Sequence, residues 1–166
     1  MVSIEEELKR AKSYKDRGQT DRAKEILESL LKQTSNDWRI WNELGHTHVR
    51  AEEYIEAKTA FERAIELEPE RSGLWNNKGF TLKEIGDLPG AIESTLKAKA
   101  TAKESSDIKT AEYNLACYLS LSGKTEQAIE HLRLACADDD SIREWAKQDT
   151  DFDPIRSDPR FKEIIG

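Results

Sequence analysis

The chain has 166 residues, a formal net charge of −7 and 36% charged residues. That length suffices for one domain with a sizeable core, and the acidic balance argues against a general nucleic-acid binder, which presents a strongly basic face. No apolar run reaches the roughly 18 residues a membrane span needs. The opening MVSIEEELKR carries acids where a secretory leader has a basic start and an apolar stretch, so a cytoplasmic location is expected. In that setting Cys117 and Cys136 are expected to be reduced, and they are too few for a zinc site of four thiolates.

The helical pattern starts at residue 4. Ala11, Ala23, Leu27 and Leu30 mark the apolar faces of two helices, with Lys15-Asp16-Arg17-Gly18-Gln19 turning between them. Gly18 suits a left-handed cap, and Thr20 or Asp21 can cap the second helix. Residues 38–71 give the clearest pair. Asp37 is a candidate N-cap; Trp41 and Leu44 lie three apart on one face; Ala57, Phe61 and Ala64 form the answering stripe; Pro69 stops the second helix. Gly45 costs about 1 kcal/mol of helix propensity, which close approach of the second helix explains.

Residues 72–105 repeat the scheme with Ser72 as cap, Trp75, Gly79, a Gly86-Asp87 turn, and the stripe Ala91, Ile92, Thr95 and Ala98. Lys103 replaces the helix-ending proline within the strongly helical run LKAKATAKE, so this helix is expected to continue by about a turn. Around Ser105-Ser106-Asp107 about three residues are inserted, judged from the register of the next pair at residues 109–142. That pair keeps Leu115, Ala116, Ala128, Leu132 and Ala135 but has Glu112 in the tryptophan place. In the remaining segment, residues 143–166, the period is lost. Ser141 is expected to cap a short helix with Ile142 and Trp145 on its apolar side. Asp153-Pro154 and Asp158-Pro159 each read as an N-cap with proline in the first turn. Phe152, Ile155, Phe161, Ile164 and Ile165 are apolar enough to fold onto the last pair.

Shifting Trp41, Gly45, Ala57 and Ala64 by 34 lands on Trp75, Gly79, Ala91 and Ala98. A period of 34 with W-x2-L-G…A-x3-F-x2-A…P resembles the tetratricopeptide repeat, a helix–turn–helix unit. The resemblance implies an all-α, right-handed superhelix of four repeats (4–37, 38–71, 72–105 and 109–142) closed by a C-terminal capping segment. In proteins similar to this one, the first helix of each repeat lines a concave channel. Counting along those helices assigns Lys12 from the first repeat, Arg39, Asn42, His46 and Arg50 from the second, Asn76, Asn77, Phe80 and Lys83 from the third, and Tyr113, Asn114 and Cys117 from the fourth. Some relatives clamp a terminal carboxylate with two Lys, two Asn and an Arg. Here Leu8, Asn42 and Thr110 stand where lysine is called for, and His46 where asparagine is, although Asn77 and Asn114 fall at useful places.

Other constellations read as structural. The two tryptophans are assigned to packing between helices. His46 and His48 point to nearly opposite helix faces and cannot share a metal ion. Asp149, Asp151 and Asp153 start like a calcium loop, but Pro154 and Arg160 stand where its glycine and final glutamate belong. No phosphate loop or nucleophile elbow is present. The expected function is therefore non-enzymatic: a scaffold that binds a protein or peptide partner, including one with acidic groups, without cofactor, metal, nucleic acid or membrane, as a monomer or weak homodimer. The alternative is self-assembly, or a place in a larger complex, through the convex face or the ends.

Overall fold

The computed structural model describes residues 3–166. Ten α-helices and one 3-10 helix make up the fold, with no strand among the described residues. They are α1 (Ile4–Asp16), α2 (Thr20–Gln33), α3 (Trp38–Arg50), α4 (Tyr54–Leu67), α5 (Ser72–Ile85), α6 (Leu88–Thr101), α7 (Ser105–Leu121) and α8 (Thr125–Ala135). The tail follows as α9 (Asp140–Gln148), the 3-10 turn Thr150–Ile155 and α10 (Pro159–Ile165). Each of the first eight helices packs on its neighbours in sequence. α1 also meets α3 and α5 meets α7, so the odd-numbered helices lie side by side along the solenoid.

Local chemistry sets the helix ends. The turn within each pair closes on one left-handed residue: Gly18 (φ 75), Gly86 (φ 91) and Gly123 (φ 72), as the register predicts. In the second pair the same place holds Glu52, at φ 60. Asp37, Asp87 and Asp158 act as N-caps, their side chains accepting from the backbone N–H groups of Arg39, Gly90 and Arg160.

Several expected boundaries shift. Gln19, not Thr20 or Asp21, is the N-cap of α2 and makes no side-chain cap bond. Ser72 is the first residue of α5 rather than its cap, and its hydroxyl donates to Asp107, 3.0 Å away. α6 does not run on: it stops at Thr101, and Ala102 is extended (ψ 131). The inserted residues instead lengthen the start of α7, which reaches 17 residues against 14 in α5. Lys103 removes one stop signal, but that alone cannot extend α6 once the chain has to turn back into α7. Asp139, with Ser141 donating to it, caps α9. Pro154 sits inside the 3-10 turn, which Asp149 caps, so Asp153 does not start a helix there.

Packing follows the large-into-small scheme. A Cβ built on Gly45 would lie 2.6–2.8 Å from three ring atoms of Phe61, which is 1% exposed. The absent side chain is therefore the space the ring fills. Gly79 faces the smaller Thr95, whose hydroxyl would lie 2.6 Å from such a Cβ, and the Ala91 carbonyl would lie 3.2 Å away, so here backbone approaches backbone. Ala11 and Ala116 stand in the glycine place of the first and fourth pairs, and both are fully buried. Leu27 and Leu132, in the register place of Phe61, are buried in the same clusters as these alanines. Trp41 and Trp75 are half-buried, and their indole N–H groups donate to the loop carbonyls of Ser35 (2.8 Å) and Pro69 (2.7 Å). They tie each first helix to the chain that leads into it, as the packing assignment requires.

The fourth pair solves the missing tryptophan differently. Glu112 occupies the place, is buried, and binds Lys99 of α6 (2.7 Å) and His131 of α8 (2.5 Å). A carboxylate with two partners from neighbouring helices is satisfied there; alone it would be costly. The tail packs on this pair, since Phe152, Ile155, Phe161 and Ile164 share one buried cluster with Leu115, Tyr118, Ile129 and Leu132. Trp145 departs from expectation: Ile142 is buried, but the indole is 64% exposed.

Candidate functional site

The odd-numbered helices bring most of the sequence-assigned side chains onto one surface. At its centre the Asn77 side-chain N–H group donates to Asn42 Oδ1 (3.1 Å) and approaches His46 Nε2 (3.2 Å), joining α5 to α3. One step along, Asn114 of α7 donates to Asn76 Oδ1 of α5 (3.4 Å). Each asparagine carries one carbonyl oxygen and two N–H donors. Asn77 spends both N–H groups, on Asn42 and His46, so the first pair keeps the Asn42 amide donors and the Asn77 oxygen, while the second keeps the Asn76 donors, one Asn114 donor and the Asn114 oxygen.

His46 is neutral and built in. Its ring stands edge-on to Phe61, with centroids 5.3 Å apart. Burial first, and then the charges of Lys15 and Lys12, hold its pKa down to about 4. With Nε2 accepting from Asn77, the ring proton resides on Nδ1. Lys12 and Lys15 belong to α1, which packs on the α3 helix that carries His46. Lys15 is held by Glu43 at 2.7 Å, and Arg39 is locked onto Asp37 at 2.6 Å. Lys12 and Arg50 are exposed and have no ion pair among the described residues. Phe80 is 39% exposed, with the Lys83 ammonium 5.3 Å from its ring centre.

At the fourth pair the structure corrects the expected open channel. The 3-10 turn of the tail lies across α7. The Tyr113 hydroxyl donates to Asp149 (2.8 Å), the Cys117 thiol is 3.7 Å from the same carboxylate, and Lys83 reaches Asp151 at 3.5 Å. The Phe152 ring packs edge-on to Tyr113 at 5.5 Å. Cys117 is only 3% exposed. Of the side chains assigned to the channel, Tyr113, Cys117 and Lys83 are the ones that the chain's own tail covers. Hydropathy placed the tail on the last pair; nothing in it distinguishes the inner side from the end.

This covered end concentrates charge. Burial raises the Cys117 thiol and the Tyr113 hydroxyl, each with the nearby Asp149 adding to the shift. Burial likewise raises the Asp151 carboxyl, opposed by Lys83. Cys117, Asp149 and Asp151 bring a thiol and two carboxylates within 4.8 Å of one another. The Lys83 ammonium already supplies a cation to that group, and Asp149 is already bonded to Tyr113 and to the Asp151 backbone. The set thus fits a lysine-neutralised contact better than a metal centre. His46 and His48 are separate, as their spacing requires: His48 pairs with Glu53 (2.6 Å), which also binds Lys24.

Comparison with known proteins decides the family. Three tetratricopeptide-repeat profiles match, at residues 7–35, 38–71 and 60–93, and together span half of the chain. The chain belongs to the tetratricopeptide-repeat family. No curated protein matches it by sequence. Among solved structures, MamA protein superposes with a TM-score of 0.72 at 20% identity, covering 89% of this chain and 77% of that one. The nearly identical TPR-like repeats of a putative kinesin light chain from Podosopora anserina give 0.78 at 17% identity, covering 98% and 91%. YrrB, described as a TPR protein with an unusual peptide-binding site, gives 0.68 at 16% identity, covering 98% and 86%. At these identities the likeness concerns the fold. No described helix is long and apolar enough to cross a membrane.

Proposed function

We propose that this tetratricopeptide-repeat protein is a non-enzymatic interaction scaffold that holds an extended segment of a partner protein against the inner faces of α1, α3 and α5. The observation that carries this reading is the asparagine ladder. Asn42–Asn77 and Asn76–Asn114 bridge successive first helices and keep unused amide donors and acceptors. Their surface contains an exposed aromatic ring, Phe80, and two cations, Lys12 and Arg50, without an ion pair among the described residues. An extended backbone offers alternating N–H and C=O groups that such amides can meet. The peptide-binding description of YrrB is consistent with this use of the fold.

The test starts from random-peptide display against the immobilised full chain, followed by anisotropy titration of the enriched peptides. Arg39→Glu combined with Asn76→Ala is expected to weaken capture about tenfold or more, on the scale of one or two polar anchors, without unfolding the chain. Undiminished binding in that variant assigns the partner to another surface.

The second reading, assembly through an end of the solenoid, is supported by the exposed Trp145 and by Leu134, 49% exposed, near the C-terminal end. Light scattering coupled to size-exclusion chromatography separates the two. A stable dimer abolished by Trp145→Ser supports assembly, and a monomer supports the groove.

A further inference from the structure

Among the described residues, two that are not glycine hold a left-handed backbone, Glu52 (φ 60) and Asp138 (φ 57). Glu52 closes a turn within a pair, where the register calls for that conformation. Asp138 lies instead in the connection from α8 to the tail, and the earlier connections between pairs do without it. The chain leaves α2, α4 and α6 through Thr34, Glu68 and Ala102, none of them helical (ψ 124, 71 and 131). After α8, Cys136 is still helical (φ -81, ψ -4), and the path breaks at Asp138 and at the extended Asp139 (φ -140, ψ 94). A residue with a Cβ holds the left-handed conformation less well than glycine does. An anion just past a helix C-terminus also faces the negative end of the dipole.

Little else secures this connection. Asp139 accepts from the Ser141 hydroxyl (2.6 Å) and the Ile142 N–H (3.3 Å), and meets Lys109 of α7 at 3.4 Å. Ala137, Asp138 and Asp140 are exposed and border an open depression of about 780 Å³. The tail beyond is bound far more tightly. Phe152 and Phe161 are fully buried in one cluster with Leu115, Ile129 and Leu132, and Arg160 meets Glu126 of α8 at 2.5 Å. A tightly complementary segment on a short strained connection is suited to exchange between copies. The same buried contacts form whichever chain supplies the segment, and opening relieves the strained residue.

We propose that the α8–α9 connection is a hinge through which two copies of this chain exchange their tails. Each copy's α9, 3-10 turn and α10 close the other's fourth pair. With Asp138 and Asp139 in the helical conformation, α8 continues into α9 and carries the tail away from its own fourth pair. The second copy then supplies the Asp149 and Asp151 carboxylates and the Phe152 ring to Tyr113 and Lys83. The closed monomer is the form described above, and crowding of chains during folding favours the exchanged dimer. This assembly needs neither the asparagine ladder nor the exposed Trp145.

The test uses the full chain with Asp138→Ala/Asp139→Ala, which removes the left-handed residue and the N-cap and favours a continuous helix. Light scattering coupled to size-exclusion chromatography is expected to show a dimer where the parent is a monomer, and adding Trp145→Ser is expected to leave that dimer intact. Isotope-labelled and unlabelled chains are then unfolded and refolded together. Overhauser contacts between the Phe152 and Tyr113 rings, whose centroids lie 5.5 Å apart, are expected between chains. A second measurement does not depend on the folding of that variant. The parent, refolded from urea at high protein concentration, is expected to trap a dimer fraction. Asp138→Gly keeps the turn without the strain and is expected to lower that fraction about fivefold.

A folded double variant that stays monomeric overturns the proposal. So does a dimer whose Phe152–Tyr113 contacts remain within each chain, or one that Trp145→Ser dissolves. If the double variant does not fold, the parent and Asp138→Gly decide: no dimer from concentrated refolding, or equal fractions from the two, overturns it.

Discussion

Replacing Gly45 with alanine sets two effects of opposite sign against each other. Alanine in a helix interior is favoured over glycine by about 1 kcal/mol. The new methyl, however, would lie 2.6 Å from Cε1 and 2.8 Å from both Cδ1 and Cζ of Phe61. The ring cannot easily yield, since Phe61 is 1% exposed and meets His46 edge-on on another side. Overpacking of a filled core costs about 1–3 kcal/mol, and contact with three atoms of a rigid ring belongs at the upper end. The net expectation is a loss of about 1–2 kcal/mol, or roughly 3–6 °C in melting temperature for a chain of this size. Urea denaturation followed by circular dichroism measures it. Phe61→Leu removes the ring edge, so the double variant is expected to exceed the sum of the singles by about 1 kcal/mol or more in stability. A Gly45→Ala protein that is more stable than the parent by the full propensity gain would show that the ring does not fill the glycine's space.

Three further outcomes follow from particular residues. Glu52 takes the left-handed conformation that glycine takes in the other three turns, so Glu52→Gly is expected to gain about 0.5–1 kcal/mol by thermal melting; a loss of stability would mean that the glutamate side chain holds the turn. His46 is expected to titrate near pH 4 by NMR. Because its folded pKa lies below the ordinary 6.5, the unfolded chain binds the proton first, and this site withdraws up to about 3 kcal/mol of stability as pH falls from 6.5 toward 4. Above pH 6.5 it contributes no pH dependence, and a measured pKa near 6.5 would contradict the burial of the ring beneath Asn77. Phe152→Ala is expected to cost about 3–5 kcal/mol, since the ring is fully buried between the tail and the fourth pair; a cost below about 1 kcal/mol would show the tail to be a loose flap.

The repeat was legible because it rests on residues whose size is their role. Trp41, Gly45, Ala57 and Ala64 recur at fixed spacing, and the packing needs that spacing whatever lies around it. The glycine turns were legible for the same reason, at Gly18 and Gly86. Glu52 was not, because a polar residue can be forced left-handed by the helices on either side of it. The replacement of a tryptophan by the Lys99–Glu112–His131 cluster depends on three residues from three helices, and no local pattern joins them. The path of the tail was the larger surprise. Apolar Phe152 and Ile155 announced that it folds back, but Asp149 and Asp151 read as turn residues, and only the fold shows them meeting Tyr113, Cys117 and Lys83. That the tail covers Tyr113, Cys117 and Lys83 could not be counted from the register.

The most direct measurement is NMR of the full chain with an enriched peptide, reading the side-chain amide signals of Asn42, Asn76, Asn77 and Asn114 beside the backbone amides. The prediction is that these four signals and the inner-face amides of α1, α3 and α5 shift together as peptide is added, while Tyr113, Cys117 and Phe152 keep their positions. Shifts confined to the even-numbered helices or the ends, with the four asparagines unmoved, would contradict it.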